Sequence, residues 1–261
     1  MEISLKGKNA LIGGSSKGIG LAVAKQLAHS GASVCLMARD KLKMKNIIDT
    51  LPSKSGQNHH FLEVDFSNFN EFKIRIEGFL KKHKIDILIN NTQGPPAGNS
   101  ISKSIEDYQK AFDLLFKNIV FTTSLVIPHM KSKGWGRIIN IASVSVKEPL
   151  NYLVLSNTIR SAIVTWAKSL SSDVALEGIT VNSILTGYFD TERIAQLNEA
   201  KAKSLNIPQS KVLSEMKKMV PVRRLGKPEE YGYLISFLAS NKAAYINGTA
   251  IPIDGGLLKS I

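Results

Sequence analysis

Cysteine is almost missing from this sequence. Cys35 stands alone among 261 residues, so no intrachain disulfide can form. A disulfide-stapled scaffold of the small secreted kind is excluded, and a reducing compartment fits. Long hydrophobic runs are scarce as well. No uninterrupted apolar stretch approaches the roughly 18–20 residues that cross a bilayer. The opening Met1-Glu2-Ile3-Ser4-Leu5-Lys6-Gly7 has no hydrophobic signal core. Neither export nor a membrane partner is therefore expected, and the expected location is cytoplasmic. Negative charge is in short supply: 21 Asp and Glu stand against 34 Lys and Arg, a formal net charge of +13. Such a surplus can mark a nucleic-acid partner, an anionic ligand or a solvated Lys-rich surface. The lysines are scattered, and no aromatic-studded basic stripe identifies a nucleic-acid module. The reading adopted is a solvated surface that attracts phosphate-bearing ligands, with no nucleic acid and no metal expected.

What is present is the composition of a globular protein: 43% hydrophobic and 21% charged residues, with unexceptional glycine and proline. The length suits one α/β domain with a large buried sheet. Short β-branched runs alternate with longer amphipathic segments. Lys8–Gly14 reads as a strand and Gly18–Ser30 as a helix with Ile19, Leu21, Ala22, Val23 and Leu27 on its apolar side. Ser33–Ala38, His60–Val64 and Ile85–Asn90 read as strands. A long helix over about Ile105–Lys133 precedes a strand at Gly136–Ala142. Another, about Leu153–Leu176, precedes the strand Ile179–Leu185, and Thr249–Ile253 reads as the last strand. This alternation predicts a single-domain Rossmann fold: a doubly wound parallel sheet of about seven strands with helices on both faces. Ligands of such sheets bind at the carboxyl ends of the strands, where the strand order reverses. A Lys-rich helical insertion over Glu192–Met219 reads as a solvated face.

The strongest motif is Gly13-Gly14-Ser15-Ser16-Lys17-Gly18-Ile19-Gly20, between the first strand and the first helix. Side chains there would block a tight turn and the approach of a pyrophosphate, while a helix start offers unpaired amides and a positive dipole end. The spacing Gly14-x3-Gly18-x-Gly20 differs from G-x-G-x-x-G. It resembles the T-G-x3-G-x-G turn of the short-chain dehydrogenase/reductase family, with Gly13 where that family usually has Thr. Further landmarks follow in family order over essentially the whole chain: Asp65, Asn90-Asn91-Thr92-Gln93-Gly94, Gly136-Arg137 leading to Ser143, Pro228-Glu229-Glu230 and Asp254-Gly255-Gly256. The resemblance implies a nicotinamide dinucleotide held by Gly14, Ser16, Lys17, Gly18, Ile19 and Gly20, with Asp65 at the adenine and Asn91 beside the cofactor. It also implies backbone groups of Thr186 and Phe189, with the Thr191 hydroxyl, at the carboxamide. NAD users place a carboxylate at the end of the second strand to bind the ribose 2′-hydroxyl. Here Arg39 stands at that end, able to stack on adenine and pair a 2′-phosphate, with Lys17 as a second cation. Asp40 reads as a helix N-cap. NADP(H) is therefore expected over NAD(H).

The catalytic half departs from the family. Its tyrosine acid, and the lysine four residues on that lowers the tyrosine pKa, correspond to Ser156 and Arg160. Ser143 fits the usual serine, and Leu115 stands where the asparagine would be. Asn118 lies nearly one helical turn later. Tyr152, Tyr188 and Lys147 are the other groups that could supply a proton. The loop Gly94-Pro95-Pro96-Ala97-Gly98 is stiffened by two prolines and shapes the mouth of the site. The expected activity is hydride transfer to or from a carbonyl or alcohol carbon of a small molecule, 3-oxoacyl-thioester reductase-like by resemblance. Ser143 would hold the substrate oxygen, Arg160 the cofactor ribose or substrate, and Ser156 or a water would relay the proton. The alternative is a non-catalytic NADP(H)-binding module that senses cofactor or scaffolds a partner. The resemblance places a substrate lid at the insertion around 190–220. Family members assemble through their long helices, so a homo-oligomer, dimer or tetramer, is expected.

Overall fold

The computed structural model describes residues 2–260. In chain order the elements are β1 (Asn9–Gly13), α1 (Gly18–His29), β2 (Ser33–Ala38), α2 (Lys41–Ile48), β3 (His60–Glu63), α3 (Phe69–Lys82), β4 (Ile87–Asn90) and α4 (Ile105–Phe112). They continue with α5 (Asn118–Lys133), β5 (Gly136–Ile141), α6 (Val154–Asp173), β6 (Ile179–Thr186), α7 (Glu192–Leu205), α8 (Gln209–Met219), α9 (Pro228–Leu238) and β7 (Ala250–Ile253). Among the described residues the seven strands form one parallel sheet in the order β3-β2-β1-β4-β5-β6-β7. The expected Rossmann architecture is present, and the order reverses between β1 and β4, where the glycine turn opens.

Both faces of the sheet are buried, as parallel crossovers require. On one face Ile12, Leu36, Ile87 and Ile139 pack with Val23 and Leu27 of α1 and Tyr231 and Ile235 of α9. On the other, Leu11, Leu88, Ile138 and Val181 pack with Phe72 and Ile76 of α3, Ile119 and Val126 of α5, and Ile159 and Ile163 of α6. Cys35 is buried in this second core, and burial pushes its thiol pKa up, leaving it a small packing residue.

Two expectations need correction. The long helix is not uniform: a π turn over Asp113–Lys117 separates α4 from α5 and carries Leu115. Periodic apolar residues run through both halves, so the pattern gave no sign of the extra residue in that turn. The joined run Ile105–Lys133 is also long and apolar enough to cross a membrane by length and composition. It is not an uninterrupted apolar run, because Glu106, Asp107, Lys110, Asp113 and Lys117 break it. Its Leu114, Leu115, Ile119, Val126 and Met130 are spent on the core. The insertion forms two helices, α7 and α8, divided where Asn206 takes a left-handed φ of 50° ahead of Pro208.

Leu88 sits at the centre of this fold with no exposed surface. Leu88→Ala should cost about 2–5 kcal/mol through lost transfer energy and the cavity left behind. Urea unfolding would show it as a lower midpoint at unchanged slope; an unmoved midpoint would contradict the packing described.

Candidate active site

The turn after β1 is held by one serine. Ser15 Oγ donates to Ile12 O at 2.8 Å and accepts from Met37 N at 2.9 Å, tying the β1 exit to β2. Asn91 Nδ2 donates to Gly13 O at 3.0 Å, tying the same exit to the loop after β4. Gly18 has φ +55°, and a methyl group on Gly20 would lie 2.3 Å from Gly14 O. Glycine is therefore required at both places. Lys17 is the N-cap of α1, and its side chain makes no capping bond. The first-turn amides of a 12-residue helix thus point into the cleft without a side-chain acceptor. Such an end is suited to an anion.

A cavity of about 660 Å³ runs from that turn across the carboxyl ends of the strands. Gly14, Ser16, Lys17, Gly18, Ile19, Gly20, Arg39, Asn91, Thr186, Phe189 and Thr191 all line it, as do Ser143, Ser156 and Arg160. Asp65 does not. Its carboxylate accepts from Ser67 N at 2.8 Å and Ser67 Oγ at 2.6 Å, closing a local turn. The Ser67 hydroxyl, with a smaller contribution from the Arg39 charge, holds that carboxyl below its ordinary pKa. The neighbouring Phe66 reaches the cavity instead. Asp40 caps α2 as expected, accepting from Lys43 N at 2.9 Å. That cap brings Lys43 to the same mouth as Arg39, a third cation that the sequence reading left out. Lys17 is not unpaired: its Nζ meets Glu192 Oε2 at 2.5 Å, between two exposed side chains. An exposed pair of this kind contributes little and exchanges readily for a stronger anion.

At the other end, Ser143 follows β5, and its Oγ accepts from Ser145 N at 3.1 Å. Ser156 and Arg160 lie one turn apart on α6. Arg160 Nε donates to Ser156 Oγ at 3.2 Å, and its Nη1 donates to Ile141 O. Burial lowers the Arg160 pKa to about 10, with Tyr231 opposing and Arg193 adding to the shift. The group remains a cation at neutral pH. Tyr152 and Tyr188 adjoin each other on the cavity wall, and burial raises the pKa of both phenols. They are further from neutrality than a solvated tyrosine, the reverse of what the family's acid requires. Tyr231 is fully buried behind them, its Oη 2.9 Å from Thr186 Oγ1.

Two candidate groups are turned away. Lys147 follows a short 3₁₀ turn and is not among the lining residues. Asn118 is buried, and its Nδ2 donates to Phe66 O at 2.7 Å and Leu114 O at 3.1 Å, outside the cavity. The insertion contributes more than a solvated face. Glu192, Arg193, Ile194, Gln196 and Leu197 of α7 and Met216 of α8 reach the cavity wall, and Arg193 Nη2 donates to Pro95 O at 2.9 Å. Among the described residues no group of three His, Cys, Asp or Glu could hold a metal.

Comparison with known proteins agrees with this geometry. A family model described as enoyl-(acyl carrier protein) reductase matches residues 14–258. The chain is 32% identical over 263 residues to a 3-oxoacyl-[acyl-carrier-protein] reductase of Chlamydia pneumoniae, covering 98% of this chain and 99% of that protein. It is 34% identical over 259 residues to oxidoreductase UcpA of Salmonella typhimurium, covering 97% and 95%. The crystal structure of L-sorbose reductase from Gluconobacter frateurii, complexed with NADPH and L-sorbose, superposes with a TM-score of 0.92 over the full length of both chains at 29% identity. With matches of this extent beside a glycine turn of this spacing, the chain belongs to the short-chain dehydrogenase/reductase family.

Proposed function

We propose that the chain is an NADP(H)-dependent oxidoreductase acting on a carbonyl or alcohol carbon, in a branch where Ser156 and Arg160 replace the usual tyrosine and lysine. One observation carries this reading. A single cavity joins the uncapped start of α1 to Ser143, Ser156 and Arg160. The donor set fits a dinucleotide phosphate: amides of Gly18, Ile19 and Gly20 on the helix axis, the Ser16 hydroxyl, and Arg39 and Lys43 at the β2 exit. The names of the relatives, reductases and oxidoreductases, favour turnover and lend no support to a non-catalytic sensor.

A nicotinamide bound there supplies or accepts the hydride. The chain's own residues do the rest. Backbone groups at Thr186 and Phe189, with the Thr191 hydroxyl, orient the carboxamide. Ser143 donates its hydroxyl to the substrate oxygen. Arg160 holds Ser156 in place and puts a fixed positive charge beside the developing alkoxide. Ser156, with a water, passes the proton. A serine hydroxyl is a far weaker acid than a phenol, so about 10²–10⁴ of the rate that general acid catalysis supplies is at stake. Positioning and charge carry more of the reaction here than in a tyrosine enzyme. Helices α7 and α8 act as a lid, and Lys17–Glu192 is its tie to the glycine turn.

Two outcomes follow. By calorimetry NADPH should bind at least about tenfold more tightly than NADH, a difference of about 1.4 kcal/mol, and Arg39→Asp should reverse the order; equal affinities would contradict the assignment of Arg39. The pH profile of kcat/KM should be flat across neutrality, because both cavity phenols are raised by burial. It should then fall as pH rises through about 10, where Arg160 loses its proton. Arg160→Gln should lack that alkaline limb. A limb near neutral pH abolished by Tyr152→Phe would show that a phenol is the donor.

A further inference from the structure

The catalytic end of the cavity holds two arginines and no acid to balance them. Arg160 is 9% exposed, and Arg193, on the first turn of α7, is an exposed residue whose guanidinium is partly covered where Nη2 donates to Pro95 O. The two are close enough for the charge of Arg193 to act on Arg160. Among the described residues neither makes an ion pair. The cavity's carboxylates are both engaged elsewhere: Asp40 caps α2 and Glu192 pairs with Lys17. Arg160 is buried and Arg193 is open to solvent on the wall of the same cavity, so an anion that enters meets a net positive wall.

We infer that the substrate carries a carboxylate, and that Arg193, with Arg160, is the specificity-determining group that binds it. This rests on the reading of the site as a carbonyl oxidoreductase. The donors available match a carboxylate. Arg160 has committed Nε to Ser156 and Nη1 to Ile141 O, and Arg193 has committed Nη2 to Pro95 O. Arg160 Nη2 and Arg193 Nε and Nη1 make no hydrogen bond among the described residues. Free N–H groups from two guanidiniums can hold the two planar oxygens of a carboxylate. The cofactor's phosphates are assigned to the start of α1 and to Arg39, although Thr191 and Glu192, just before Arg193, meet Gly18 and Lys17 of that turn. Arg193 lies against Gly94 and Pro95, the loop that walls the substrate mouth.

The test compares acids with their neutral esters on the intact protein. The probes are 2-oxohexanoate and 4-oxopentanoate, each with its methyl ester, assayed with saturating NADPH. For at least one pair, kcat/KM for the acid should exceed that for the ester by about tenfold or more, because the ester leaves the guanidinium donors unpaired. Arg193→Gln should bring the ratio near one by raising KM for the acid more than for the ester. Esters equal to or better than acids in both pairs would overturn the inference. So would an Arg193→Gln variant that binds NADPH poorly yet keeps the acid preference, which would assign Arg193 to the cofactor. Calorimetry on NADP⁺-saturated protein separates the two levels of the argument. Binding of an acid and not its ester, without turnover of either, supports the carboxylate site while the oxidoreductase reading fails. An absence of heat from both acids, with no turnover, overturns the carboxylate site.

Discussion

A helix that begins without a cap leaves its first amides unpaired, and the rest of this site is arranged around that deficit. Helix α1 starts at Gly18 behind an extended lysine whose side chain makes no capping bond. Three contacts keep it open. Ser15 ties the β1 exit to β2, Asn91 ties it to the loop after β4, and Gly20 lets the helix start pack against Gly14 O. The first two fasten the turn to β2 and to the end of β4, and the third is a close approach within the turn itself. The anion-binding end is therefore as rigid as the core beneath it, which is the pre-organisation that a phosphate site needs.

The catalytic end follows a different logic. A tyrosine acid works when a neighbouring cation brings its pKa toward neutrality. In this chain the cation is present as Arg160, but it faces a serine and a backbone carbonyl, and burial drives the nearby phenols away from neutrality. A fixed charge in a partly dry cleft stabilises a developing oxyanion without moving a proton itself. On the proposed reading the same fixed charge selects for anions, and Ser156 and Arg160 in place of tyrosine and lysine both weaken acid catalysis and narrow what binds.

Local chemistry was legible and distant chemistry was not. The glycine turn, the Asp40 cap and Arg39 could be read because each depends on residues within a few positions of one another. Asp65 does not line the cavity, and Ser67, two residues on, takes one oxygen of its carboxylate into a turn. An Asp-x-Ser pattern carries that signal. The π turn at Asp113–Lys117 left no mark on an apolar pattern that runs on through it. Arg193 and Glu192 were read as part of a solvated face. Their significance comes from pairing with Pro95 and Lys17, from which they are separated by 98 and 175 positions. Periodicity cannot show contacts made by folding a lid back across the sheet.

The central claim is that the uncapped amides of α1 seat the dinucleotide. Hydrogen–deuterium exchange of the segment 14–20, with and without saturating NADPH, tests it most directly. Exchange there should slow markedly on binding, because amides with no partner gain one, while the buried strands beneath stay protected in both states. NADPH that binds without altering exchange across 14–20 would contradict the account.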